Sequence, residues 1–370
     1  MRPGRPLLDP FRPDHLFAFG FQVRRAFHHI FEFIIGTSSA ATRLRARVWE
    51  SIFTHDVRRY QRALFERMGD IISLITGPSG TGKELVARAI AHSQYIPFDE
   101  KQGKFSNDFS KNFYPLNLSA LSPTLIESEL FGHHKGAFTG ALQDRKGYFE
   151  ECGKWGTVFL DEIGDVDADI QLKLLRVLQT RQFQPLGGTQ LRSFLGKIIV
   201  ATNRNLVKEM KEGRFREDFY FRLCADRIET PTLREILAED PDELSFLVHY
   251  VTCRVAGESE SESLAQEVCD WVTNKLGREY SWPGNFRELE QCVRSILVHQ
   301  EYHPQHEQNR DFFEQLEAGT LTAAQVLRHY VTRVYAKTRS YEKTSRMLEL
   351  DPRTVKKHID PDFLNDDKSA

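Results

Sequence analysis

The stretch that most restricts this chain is a short apolar run, IISLIT (71–76), that empties into GPSGTGKE (77–84). A run of that length bounded by glycine reads as a buried strand, and the residues from Glu84 to Ser93 are rich in helix formers. A glycine turn between strand and helix lets backbone N–H groups and the helix N-terminus converge on phosphate oxygens. Gly77, Pro78, Ser79, Gly80, Thr81, Gly82 and Lys83 therefore form a candidate phosphate cradle, with Lys83 reaching the outer phosphates. The next position commonly holds a Ser or Thr hydroxyl that ligates Mg²⁺. Here it holds Glu84.

Strand and helix signals then alternate. FYPLNL (113–118), TVFLDE (157–162) and KIIVATN (197–203) read as strands, and TLIESELF (124–131) and QLKLLRVLQT (171–180) as helices. Alternation with nearly continuous apolar strands predicts a parallel sheet flanked by helices. In such a sheet ligands bind at the carboxyl ends of the strands, which is where Asp161, Glu162 and Asn203 fall. Asp161 suits an Mg²⁺ shell, Glu162 suits polarising the attacking water, and Asn203 suits positioning water or γ-phosphate. Singly, an Asp-Glu pair is a solvated cap and a terminal Asn opens a turn. Behind a phosphate loop they read as an ATPase site.

From about Pro231 strand signals stop and the chain turns helical through LSFLVHYVTCRVA, SLAQEVCDWVTNKL and NFRELEQCVRSILVHQ. Pro283-Gly284 followed by Asn285 predicts a turn and an N-cap for a helix carrying Arg287 on its first turn. Upstream, residues 1–35 are rich in Pro, Arg and Phe, with Phe27, Ile30, Phe31, Phe33, Ile34 and Ile35 a candidate apolar cluster. Helical spacing is clear from Ser39 (Leu44, Val48, Trp49, Ile52, Phe53) and in a second segment (Val57, Tyr60, Leu64, Phe65, Met68) ending near Gly69. The net charge of −2 hides a polarity: residues 1–67 hold twelve Arg against six acids, and residues 320–358 nine Lys or Arg against three acids. Basic ends suggest polyanion contact. Five scattered cysteines without metal-site spacing, no long apolar run and no signal-peptide core predict a cytoplasmic protein with no membrane partner.

ESELFGHHKGAFTGAL (127–142) is the most informative stretch. It leads a helix into Gly136, Ala137, Phe138, Thr139, Gly140 and Ala141, a mobile glycine loop whose lone aromatic offers an anchor to a partner. Together GPSGTGKE, LFGHHKGAFTGA, GTVFLDEIGD, GRFREDFYFRL and WPGNFREL resemble the AAA+ domain of bacterial enhancer-binding proteins, which activate the sigma-54 form of RNA polymerase. The resemblance covers roughly residues 70–300. It implies an ATPase using ATP and Mg²⁺, assembled as a ring, with the hexamer the expected form. Glu84 is then expected after the lysine, leaving Mg²⁺ to Asp161 and water. Phe138 and Thr139 match the tip that engages sigma-54, and Asn117 the residue that pairs with the catalytic Glu162. Arg216 and Arg222 match arginine fingers reaching a neighbouring subunit, and Arg287 the second sensor on the lid. Departures are Pro78 and His134, where the family often has Glu, and LREI (233–236) in place of LRER.

Residues 320–358 follow helix-turn-helix grammar: a helix over about 322–338, then SYEKTSRMLEL, a turn at Asp351-Pro352, and RTVKKHI. They resemble the Fis-type domain that ends many enhancer-binding proteins. Pro352 fits the first helical turn. Arg353, Thr354, Lys356, Lys357 and His358 would face double-stranded DNA while Val355 and Ile359 pack inward. The expected organisation is a basic helical region (1–69) packed on an α/β AAA+ core (70–230), a helical lid (231–300), a linker (301–319) and an all-α helix-turn-helix domain (320–370). The expected function is an ATP-driven activator that remodels the sigma-54 RNA polymerase closed complex. The rivals are an AAA+ remodeller of another protein target, which GAFTGA disfavours, and a DNA-binding regulator without ATPase activity, which the full set of catalytic groups disfavours.

Overall fold

A computed structural model describes residues 12–109, 111–277, 280–304, 316, 319, 321–338 and 340–359. Its centre is a sheet of five strands: β1 (Ser73–Thr76), β2 (Phe113–Asn117), β3 (Thr157–Asp161), β4 (Lys197–Thr202) and β5 (Asp226–Glu229). They lie in the order β5-β1-β4-β3-β2, and every pairing is parallel. The register sets Thr76 beside Thr202 and Asn117 beside Asp161, so their carboxyl ends share one edge. Strand β5 is absent from the sequence reading. Its polar DRIE buries only Ile228 fully, as an edge strand does.

Successive strand residues face opposite sides, and the core divides accordingly. Leu74, Val158, Leu160, Ile198 and Val200 join one apolar cluster with helices α4 (Pro123–Phe131) and α5 (Ala168–Thr180). Ile75, Phe159, Ile199, Ala201 and Ile228 join another with α1 (Pro13–Phe33), α2 (Ser39–Phe53) and α3 (Lys83–His92).

Helix α1 lies along α3 and fastens to its C-terminal end through polar groups. Gln22 donates to Ser93 O (2.9 Å), and Arg25 to His92 O (2.7 Å) and Gln94 O (2.6 Å). His15 bonds Tyr95 OH at 2.8 Å. Because Gln22, Arg25 and His15 occupy buried positions between Ala18, Ala26 and Ile30, the helix face is not apolar in sequence. The candidate cluster divides: Ile30 and Ile34 are buried, whereas Phe27 and Phe31 stack on each other at the surface. The 57–69 segment is also less regular than its spacing predicts. One α-turn (Val57–Arg59) passes into a π-turn (Tyr60–Leu64) that buries both Tyr60 and Phe65.

Four helices follow the sheet: α7 (Leu233–Glu239), α8 (Glu243–Ala256), α9 (Glu258–Lys275) and α10 (Asn285–His299), after the short α6 (Glu217–Leu223). The chain divides into two compact units, residues 1–301 and 302–370. The second holds α11 (Ala323–Thr338), α12 (Tyr341–Leu348) and α13 (Pro352–His358). The expected linker falls mostly outside the described residues. All five cysteines are free, and no helix among the described residues is long and apolar enough to cross a membrane.

Candidate functional site

The loop 77–82 connects β1 to α3, and its glycines are dictated by contact as well as by backbone angle. Gly77 (φ 152°) would place a Cβ onto Thr230, and Gly80 (φ 77°) would place one onto the carbonyl of Gly284. Thr81 Oγ1 donates to Pro78 O (2.9 Å) and pairs with Thr230 Oγ1 (2.6 Å), while Thr230 N bonds Thr76 O (2.9 Å). The strand end, the loop and the tip of β5 are thus one bonded unit. Among the described residues, no hydrogen bond is donated by the backbone N–H groups of Ser79 to Lys83, so they fit an anion.

Lys83 is buried and donates through Nζ to Gly77 O and Pro78 O, both at 3.0 Å. Burial lowers its pKa, and the nearby carboxylates of Glu162 and Asp161 oppose that shift. Burial likewise raises the pKa of Asp161 and of Glu162 above the ordinary carboxylate values. Asp161 ends β3. Glu162 follows in left-handed backbone (φ 56°), a conformation that costs a non-glycine residue about 1–3 kcal/mol and clusters at functional positions. Its Oε2 accepts from Asn203 N at 3.2 Å, which ties the tips of β3 and β4. Cation, two acids and unpaired N–H groups on neighbouring strand ends fit a magnesium–nucleoside triphosphate, with Asp161 the residue to hold the metal.

The lid helix meets this loop directly. Asn285 does not cap α10: its Nδ2 donates to Ser79 O (2.9 Å) and its Oδ1 accepts from Leu233 N (2.9 Å), at left-handed φ 53°. The capping falls instead to Glu288, which accepts from Gly284 N at 2.7 Å. Phe286 N bonds Gly80 O (3.1 Å), and Arg287 reaches Ser79 Oγ (3.3 Å). Asn285 and Thr230 were missed by sequence reasoning. Asn285 looks like an ordinary turn residue, and Thr230 follows a strand that has no apolar run.

Other positions sit apart. Glu84 pairs with Arg88 one turn on (2.8 Å). Asn117 bonds Ser119 N (3.0 Å) and Oγ (2.8 Å), so the expected Asn117–Glu162 pair is not formed here; Glu162 is held by Asn203 instead. Arg216 forks onto Asp218 (3.0 and 2.8 Å), and Arg222 donates to Leu178 O (2.9 Å). Neither bonds the loop 77–83 among the described residues.

The GAFTGA loop hangs on a two-residue ribbon, Gly132–His133 with Arg145–Lys146. Asp144 fixes its base by accepting from Lys135 N (2.8 Å) and bonding His134 Nδ1 (3.0 Å). Those bonds hold the Asp144 carboxyl below its ordinary pKa. A second loop braces it, through His134 N to Leu186 O (3.0 Å) and Leu186 N to Gly132 O (2.9 Å). Phe138 is not displayed freely. It is half-buried, edge-on to His133 (5.0 Å between ring centroids), and His133 is anchored by Ser128 Oγ at 2.8 Å. Gly136, Thr139 and Gly140 are exposed, Ala137 is half-buried and Ala141 is buried.

In the second unit Asp351 caps α13 through Arg353 N (2.8 Å) and Ser340 caps α12 through Lys343 N (3.4 Å). Arg353, Lys356 and Lys357 are exposed, Thr354, His358 and Ile359 are half-buried, and Val355 is fully buried.

A sheet in this order, with a phosphate loop, an Asp-Glu strand tip and a helical lid bonded to the loop, is the architecture of an AAA+ domain. Residues 53–229 match the family described as Sigma-54 interaction domain. Over 229 residues it is 42% identical to the Nif-specific regulatory protein of Klebsiella pneumoniae, covering 62% of this chain and 40% of that protein. It is 42% identical over 230 residues to the DNA-binding transcriptional regulator NtrC of Rhizobium meliloti (62% of this chain, 43% of NtrC). A similar match, 42% over 224 residues, joins it to the regulatory protein LuxO of Vibrio parahaemolyticus (60% and 45%). The chain thus spans less than half the length of these curated relatives. Among solved structures, NtrX from Brucella abortus shares the fold at TM-score 0.52 and 24% identity, covering 95% of this chain and 71% of NtrX.

Proposed function

We propose that this chain is an ATP-hydrolysing transcription activator that remodels the closed complex of sigma-54 RNA polymerase. The observation that carries the reading is the joining, in one sigma-54 interaction domain, of a bonded nucleotide loop and a GAFTGA loop on a braced stem. ATP with Mg²⁺ supplies the free energy. Backbone N–H groups of 79–83 and Lys83 hold the phosphates, and Asp161 holds the metal. Glu162 takes the proton of the attacking water, with Asn203 fixing its carboxylate. Arg287 reports the nucleotide to the lid. Arg216 and Arg222, exposed and away from their own loop, act in trans on a neighbouring copy in a ring, which makes assembly a condition of hydrolysis. Asn117 leaves Ser119 for Glu162 in one nucleotide state, and the exchange moves the loop 136–141. Arg353, Thr354, Lys356, Lys357 and His358 place the ring on double-stranded DNA.

The test is promoter opening by purified sigma-54 holoenzyme, read by permanganate reactivity. Wild type with ATP should open the promoter. Glu162→Gln should bind ATP yet lose ~10²-fold or more of hydrolysis and all opening. Robust hydrolysis by wild type without opening would instead favour a remodeller of another target.

A further inference from the structure

A cluster of ligating side chains lies outside the nucleotide site. Near the C-terminal end of α1, the ligating atoms of His28, His29 and Glu32 lie within 4.8 Å of one another. His28 Nε2 is 3.5 Å and His29 Nδ1 is 3.0 Å from the same oxygen, Glu32 Oε2. Helix geometry creates this: residues three and four apart share a face, and Glu32 stands so to both histidines.

A further imidazole lies beside this group on another element, outside the set of ligating atoms. His92, the last residue of α3, has its ring centroid 5.3 Å from that of His29. Its Nδ1 is 3.1 Å from the carbonyl of Phe109. A carbonyl only accepts, so Nδ1 carries the hydrogen and the neutral ring keeps its lone pair on Nε2.

We propose that His28, His29 and Glu32 form a divalent transition-metal site, for Zn²⁺ first, near the C-terminal end of α1. Imidazole with one carboxylate suits zinc. Tetrahedral bonds of about 2.0–2.1 Å place ligand atoms about 3.3 Å apart, and the observed 3.0 and 3.5 Å bracket that value. Arg25 is a nearby cation, but it is bound to the main-chain carbonyls of His92 and Gln94 and lies over the Phe109 ring.

Calorimetric titration of ZnCl₂ into the tag-free full chain tests this. Cys253→Ser is carried in every sample, because Cys253 Sγ and His249 Nε2, 3.6 Å apart, form a competing pair. One site should bind, and zinc should raise Tm by linkage. His28→Ala with Glu32→Gln, both at the surface, should weaken binding by at least ~10-fold and abolish the Tm shift, with unchanged circular dichroism. His92→Ala should bind zinc as wild type does. No binding by wild type, or equal binding by the His28/Glu32 variant, overturns the site. Loss of binding in His92→Ala would overturn the three-ligand assignment.

Discussion

Two glycine loops in this domain are built on opposite terms. In the nucleotide loop, Gly77 and Gly80 are pressed against Thr230 and Gly284, so that even a methyl group has no room. In the GAFTGA loop, Gly136 (φ 82°) and Gly140 (φ 104°) have nothing within 4 Å of a Cβ position, and only their backbone angles call for glycine. The first loop is rigid because strand, lid and edge strand all bond to it. The second is held at its base by Asp144 and by the neighbouring loop, while its tip is left to solvent. The difference separates tasks: phosphates need preorganised donors, and a part that engages a partner and moves needs a weakly held tip.

The largest break in this comparison should come from Gly80→Ala. Its Cβ meets backbone, which cannot swing aside, so ATP affinity should fall by ~100-fold or more, about 2.7 kcal/mol, measured by fluorescent-nucleotide titration. Asn285→Ala comes next. It leaves Leu233 N unpaired in a buried place, costing about 1–3 kcal/mol, and releases the more exposed Ser79 O, read by chemical denaturation together with nucleotide affinity. Smaller again, the acid limb of the hydrolysis profile should lie above the ordinary Glu value of ~4.3. Burial raises the Glu162 pKa, so its carboxyl keeps a proton to higher pH and the base is lost as pH falls through that raised value. A pH–rate profile checks the direction. Gly136→Ala should be mildest for the fold, about 1–2 kcal/mol of local strain, with nucleotide affinity unchanged.

Much of the domain is legible in sequence because two periodicities carry it. Apolar runs mark four of the five strands, and fixed spacing puts Lys83, Asp161, Glu162 and Arg287 at one edge. What is illegible shares a cause: polar groups doing interior work. Helix α1 hides behind buried Gln22 and Arg25, β5 behind its charged edge residues, and Asn285 behind a turn it resembles. Side-chain choice among partners is also unreadable. Asn117 takes Ser119 rather than Glu162, and Phe138 takes His133 rather than solvent.

The separation of tasks is tested most directly by Thr139→Ala, assayed in one preparation for ATP hydrolysis and for promoter opening by sigma-54 holoenzyme. Thr139 is exposed at the loop tip and makes no bond to the nucleotide site among the described residues. Hydrolysis should continue at the wild-type rate while opening is lost. Opening equal to wild type would contradict the assignment of that loop as the part that engages polymerase.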